Sequence, residues 1–112
     1  MALLRNLFYK TLSTELSITS SNGFHLRPVA QFSSLAKSFS CQITASFNGQ
    51  TADTKSVNTL LSLSLEKGDT FTLITQGKKA EEALTQLQAL FDTLMQDDKE
   101  VEHIEKSTND RL

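Results

Sequence analysis

A chain of 112 residues suffices for one domain with a single core, and 38% hydrophobic with 21% charged residues is the balance of an ordinary soluble globular protein. A formal net charge of −2 argues against a nucleic-acid partner held by a basic surface, and no apolar run approaches the roughly 18 residues of a membrane span. The single cysteine, Cys41, excludes an intramolecular disulfide, so the composition points to a cytoplasmic protein.

Leu3, Leu4, Leu7 and Phe8 share the spacing of one apolar helix face, which predicts a short helix packed on the domain or a disordered segment or, alternatively, a docking or membrane-surface segment. The stretch lacks the continuous apolar core and small-residue cleavage site of a signal peptide. From Thr14, Leu16 and Ile18 alternate with Glu15, Ser17 and Thr19, the pattern of a first strand that ends in an Asn22-Gly23 turn.

Pro28 then suits the first turn of a helix, and Val29, Phe32, Leu35, Ala36 and Phe39 continue at helical spacing, so a helix is expected over about residues 26–38. His25 is thereby placed at a helix start, where free amides and the macrodipole favour anions. A neutral imidazole is a nucleophile, and Arg27, two positions on, offers a planar set of donors suited to phosphate oxygens. Taken alone, a histidine at a helix start is more often a cap or a surface residue than a reactive group.

Cys41, Ile43, Ala45 and Phe47 alternate with polar residues as a second strand. Asn48-Gly49 is the dipeptide of a tight hairpin, so residues 50–53 are expected to return as a third. Ser56 is placed to cap a short second helix led by Val57, Leu60 and Leu61. A fourth strand is expected over residues 70–75, with Ile74 out of phase with Phe71 and Leu73 and therefore on the other face or near an edge. A long amphipathic helix follows, with a stripe through Ala80, Ala83, Leu84, Leu87, Phe91, Leu94 and Met95. From Asp97 onward the chain carries six acids and three bases, and is expected to prolong the helix by a turn or two before fraying, with His103 on a solvated face.

Asn22-Gly23-Phe24-His25-Leu26-Arg27-Pro28-Val29-Ala30 resembles the active-site segment of HPr, the histidine-containing phosphocarrier of the bacterial phosphoenolpyruvate:sugar phosphotransferase system. Asn48-Gly49, Lys55-Ser56-Val57, Leu60-Leu61, Lys67-Gly68 and Gly77 resemble HPr positions in the same order. The resemblance covers residues 14–95, which divides the chain into an N-terminal extension (1–13), an HPr-like domain (14–95) and a charged C-terminal tail (96–112). It implies an α/β (α+β) two-layer sandwich, βαββαβα, with a four-stranded antiparallel sheet of order 1-4-2-3, three helices on one face, and the His25 loop close to the start of the second helix. One position departs: the residue after the histidine is usually small in this family, and here it is Leu26.

The function implied is that of a phosphocarrier. His25 accepts a phosphoryl group from phosphorylated enzyme I and donates it to an enzyme IIA, with Arg27 compensating the charge. A phosphohistidine intermediate of this kind makes a carrier rather than a turnover enzyme, with no cofactor and no metal held by the chain. Phe24, Leu26, Lys55, Val57 and Leu61 are the partner-docking candidates, Ser56 matches the serine that a dedicated kinase phosphorylates in some HPr proteins, and a monomer is expected. The alternative is a regulatory or nitrogen-branch HPr-like interaction domain, as part of a longer multidomain protein.

Overall fold

Strict alternation of apolar and polar side chains sets the sheet. In the computed structural model, which describes residues 10–111 and the side chains of 11–96, β1 (Lys10–Ser17), β2 (Gln42–Phe47), β3 (Gln50–Asp53) and β4 (Thr70–Gly77) form one antiparallel sheet of order β1-β4-β2-β3. The long central strand β4 pairs Leu16 with Phe71 on one side and Ala45 with Leu73 on the other. These residues are buried, and they face the helices. The opposite face carries Ser13, Glu15, Thr44 and Thr72. Ile74 lies there too, half-buried between Ser13 and Thr44, so it points to the second face from the centre of the sheet and not from an edge.

The strands run further than alternation alone predicts. β1 begins at Lys10 because Leu12, half-buried, still keeps phase with Leu16, and β4 continues to Gly77 because both neighbouring strands pair with Gln76. Between β2 and β3, Asn48 at φ 51° and Gly49 at φ 79° make the two-residue hairpin that needs positive φ at both positions.

Helix α1 (Leu26–Lys37) buries Val29, Phe32, Ser33 and Ala36 against the sheet; α2 (Val57–Leu61) is one short turn that buries Leu60; α3 begins at Ala80 and buries Ala83, Leu87, Phe91, Leu94 and Met95. The result is an open-faced sandwich with its core between one sheet face and three helices. Cys41 is buried within that core as a small apolar side chain.

The backbone of α3 stays helical for 32 residues, to Arg111, and does not end a turn or two beyond Met95. No glycine or proline occurs from Ala80 to Arg111 to stop it. The helix expected over Leu3–Phe8 lies outside the described residues, as does the side chain of His103.

Candidate functional site

The chain reaches His25 through a turn fixed by its own backbone. The Gly23 amide donates to the Ser20 carbonyl oxygen at 3.0 Å, and Gly23 sits at φ 75° with the place of a Cβ only 3.1 Å from the Leu65 carbonyl oxygen. Only glycine meets both conditions without strain. The Phe24 amide then donates to that same Leu65 oxygen at 3.1 Å.

Phe24 turns inward. Its ring packs edge-on to Phe32 (5.7 Å between centroids) and to Phe91 (5.3 Å) and stacks on Phe71 (6.0 Å), so one loop residue touches α1, α3 and the sheet together. At 3% exposure it has no surface for a partner, which corrects its assignment as a docking residue. An aromatic ring in reach of three others gains more by joining the core than by standing in water.

His25, next along, is the N-cap of α1 with extended backbone (φ −114°, ψ −159°), and its side chain makes no capping hydrogen bond. Its carbonyl oxygen accepts the first helical bond from the Val29 amide at 2.9 Å. Pro28 has no N–H to lose, and the amides of Leu26 and Arg27 have no intrahelical acceptor because they belong to the first turn. The imidazole, the Leu26 side chain (61% exposed) and the Arg27 side chain are all open to solvent. No carboxylate among the described residues pairs with Arg27. An exposed imidazole beside two free amides and a guanidinium is able to receive and hold an anionic group without displacing anything.

The rest of the expected docking surface divides. Val57 and Leu61 are half-buried against the core, and only Leu61 lines the same depression as His25. Lys55 is turned away from it: its ammonium donates to the Phe39 carbonyl oxygen at 2.6 Å, just past the C-terminal end of α1. The helices run in opposed senses, so it is the end of α2, not its start, that adjoins the His25 loop. This corrects the expected proximity, and it removes Lys55 from the rim of the site. Ser56 caps α2 as its position predicts, its Oγ accepting from the Thr59 amide at 3.3 Å.

Beside His25 lies a depression of about 450 Å³ whose walls are the turn at Ser21–Phe24 and the stretch Ser64–Lys67 after α2. Sequence reading missed this second wall, because no periodic pattern runs through a helix end and a turn. One signal was present: Ser64, Leu65 and Glu66 directly precede Lys67-Gly68. Ser64 takes φ 53°, a left-handed conformation that costs a non-glycine residue about 1 kcal/mol. Among the described residues no group of three or more His, Cys, Asp or Glu side chains is placed to hold a metal ion, and no helix is long and apolar enough to cross a membrane.

Fold and site together define a small open-faced α+β sandwich that presents a histidine at the start of its first helix. The family model described as the PTS HPr component phosphorylation site matches residues 12–93. Phosphocarrier protein HPr of Vibrio cholerae serotype O1 is 44% identical over 80 residues, 71% of this chain and 94% of that protein. The protein of that name from Haemophilus influenzae is 40% identical over 82 residues, 73% of this chain and 96% of that one. Among solved structures, phosphocarrier protein HPr from Bacillus anthracis superposes with a TM-score of 0.68 at 32% identity, covering 72% of this chain and 96% of that one. The chain belongs to the HPr family of phosphocarrier proteins.

Proposed function

We propose that the chain accepts a phosphoryl group on His25 from phosphorylated enzyme I and donates it to an enzyme IIA of the phosphotransferase system. The observation that carries the reading is the uncommitted imidazole of His25, exposed at the N-cap of α1 and making no capping hydrogen bond. In the forward step Nδ1, the atom modified in HPr proteins, attacks phosphorus. The new N–P bond forms as the N–P bond to the donor's histidine breaks, and the donor imidazole leaves with the electron pair. The free amides of Leu26 and Arg27 and the Arg27 guanidinium offer compensation for the phosphoryl oxygens. Solvent exposure keeps that compensation modest, which suits a carrier: a phosphate held deeply would not be passed on.

Leu26 and Leu61 supply the apolar ground of a transient interface around His25, and Val57 extends it along α2. Ser56 is in addition a candidate for phosphorylation by a serine kinase.

The test is incubation with enzyme I and phosphoenolpyruvate. One acid-labile phosphoryl increment is expected, absent from a His25→Ala protein that retains its fold. Equal labelling of His25→Ala, or label at His103, overturns the assignment. A folded wild-type chain that takes no label leaves the interaction-domain reading in its place.

A further inference from the structure

The helices lie over the sheet in a fixed order: α3 packs on β1 and β4, α2 packs on β3, and α1 between them touches both. At about 100° per residue, the buried arc of α1 runs from Phe32 through Ala36 and Val29 to Ser33. Phe32 is the end of that arc on the α3 side, its ring edge-on to Phe91 at 6.3 Å. Ser33 is therefore the end on the α2 side. It is fully buried, at 0% exposure, and its Oγ has no hydrogen-bond partner among the described residues. A serine inside a helix can give its hydroxyl to the carbonyl oxygen one turn earlier, and this one does not. Each such group gives up its water for nothing in return, which is why orphaned hydroxyls are rare in a core.

The element on that side of Ser33 is weakly anchored. The five residues of α2 bury one side chain, Leu60, and leave Val57 and Leu61 half-buried. The chain is tied down on either side of it: the Lys55 ammonium donates to the Phe39 carbonyl oxygen at 2.6 Å, and the Leu65 carbonyl oxygen accepts from the Phe24 amide at 3.1 Å. Residues 56–64, between the two ties, are thus free to come away from α1 without disturbing the stem of His25. A helix this short does not persist without its packing, so coming away also breaks its backbone hydrogen bonds. It admits water to the Ser33 hydroxyl as well.

We infer that residues 56–64 open from α1 as one unit within the folded protein, and that the Ser33 hydroxyl, orphaned when α2 is closed and hydrated when it is open, sets the balance between the two states. The orphaned hydroxyl destabilises only the closed state, so its whole cost goes to raising the open population. Opening carries Val57 and Leu61 with it, so the apolar ground on α2 adapts to different partner surfaces while His25 keeps its place. That consequence rests on the proposed transfer at His25. The opening itself belongs to the free, unphosphorylated chain, and its test involves neither His25 nor a partner.

Native-state hydrogen exchange of the free chain tests it in wild type, Ser33→Ala and Ile43→Val. Exchange is read at the amides of Leu60, Ser62, Leu63 and Ser64, whose acceptors all lie within residues 56–61, and at the amides of β4. In wild type the α2 amides are expected to be about tenfold or more less protected than those of β4. Ser33→Ala should raise their protection about fivefold or more, because the closed state no longer strands a hydroxyl. The higher helix propensity of alanine strengthens α1 and does not by itself act on the opening of α2. Ile43→Val removes one methyl group from a core side chain that is 1% exposed, so it should lower the protection of β4 and leave that of α2 unchanged. Equal protection of α2 and β4 in wild type overturns the inference. So does α2 protection that is unmoved by Ser33→Ala, or that falls together with β4 in Ile43→Val.

Discussion

The amide of Phe24 donates to the Leu65 carbonyl oxygen at 3.1 Å, so the residue before His25 is bonded to the stretch that follows α2. Its ring is locked among Phe32, Phe71 and Phe91. His25 thus stands exposed on a stem that is fixed twice, once through the backbone and once through the core. Exposure gives partners access to the imidazole, and the stem removes the entropy that a mobile loop would lose on docking.

Truncating that stem should therefore harm stability and transfer together. Phe24→Ala removes a nearly fully buried ring and is expected to cost about 3–5 kcal/mol, read from the denaturant midpoint at unchanged slope. Phe24→Leu, which keeps most of the volume, should cost much less. A Phe24→Ala protein as stable as wild type would mean that the ring does not hold the loop.

Gly23→Ala tests the close approach behind the same stem. A methyl group there would lie 3.1 Å from the Leu65 carbonyl oxygen and 3.4 Å from the Glu66 Cα, on a backbone at φ 75°. Expected is a loss of about 1–2 kcal/mol, with slower transfer because the displaced wall borders the depression that His25 shares. An unchanged melting curve would count against the tight turn.

Arg27→Lys should not be conservative. The guanidinium is exposed and has no carboxylate partner among the described residues, so its replacement leaves the fold alone and any effect reports on the phosphoryl group. A planar fork matches two phosphoryl oxygens where an ammonium is a point charge. Transfer is expected to slow at unchanged Tm; wild-type rates in the lysine variant would remove Arg27 from the site.

Leu26 is the departure from the family pattern, and at 61% exposure its side chain contributes little to the core. Leu26→Thr should change stability by less than about 0.5 kcal/mol. The variant should instead alter relative rates with different partner proteins, since Leu26 enlarges the apolar ground beside the nucleophile. Identical rates with every partner tested would make Leu26 a neutral substitution.

Period was what made most of the fold legible in sequence. Alternation in β2 and β4 and the stripe of α3 each state which side chains face inward, and the Asn48-Gly49 turn fixes one register. The resemblance supplied the strand order. Phe24 could not be placed in this way, because a single residue between Gly23 and His25 belongs to no repeating pattern and its inward turn depends on three rings distant in sequence. Lys55 misled for a related reason. The resemblance put it on the docking rim, yet its acceptor is the Phe39 carbonyl oxygen just past the end of α1, sixteen residues earlier. The depression was illegible because both of its walls are non-periodic.

Ser56 has a structural task that any modification would have to respect. Its Oγ caps α2 over 3.3 Å, a long bond, so Ser56→Ala should cost near the lower end of the 0.5–2 kcal/mol range for caps. Little transfer should be lost with it. Aspartate is also a competent cap, so Ser56→Asp should keep the fold. It places a negative charge next to Lys55, whose ammonium already donates to the Phe39 carbonyl oxygen, and at the start of a helix whose other end adjoins His25. If the docking surface spans α2 from end to end, that charge weakens acceptance from phosphorylated enzyme I, and added salt should partly restore it by screening. Rates for wild type, Ser56→Ala and Ser56→Asp at two ionic strengths decide the matter. Undiminished transfer in the aspartate form would confine the interface to the His25 end of α2 and leave Ser56 with the cap alone.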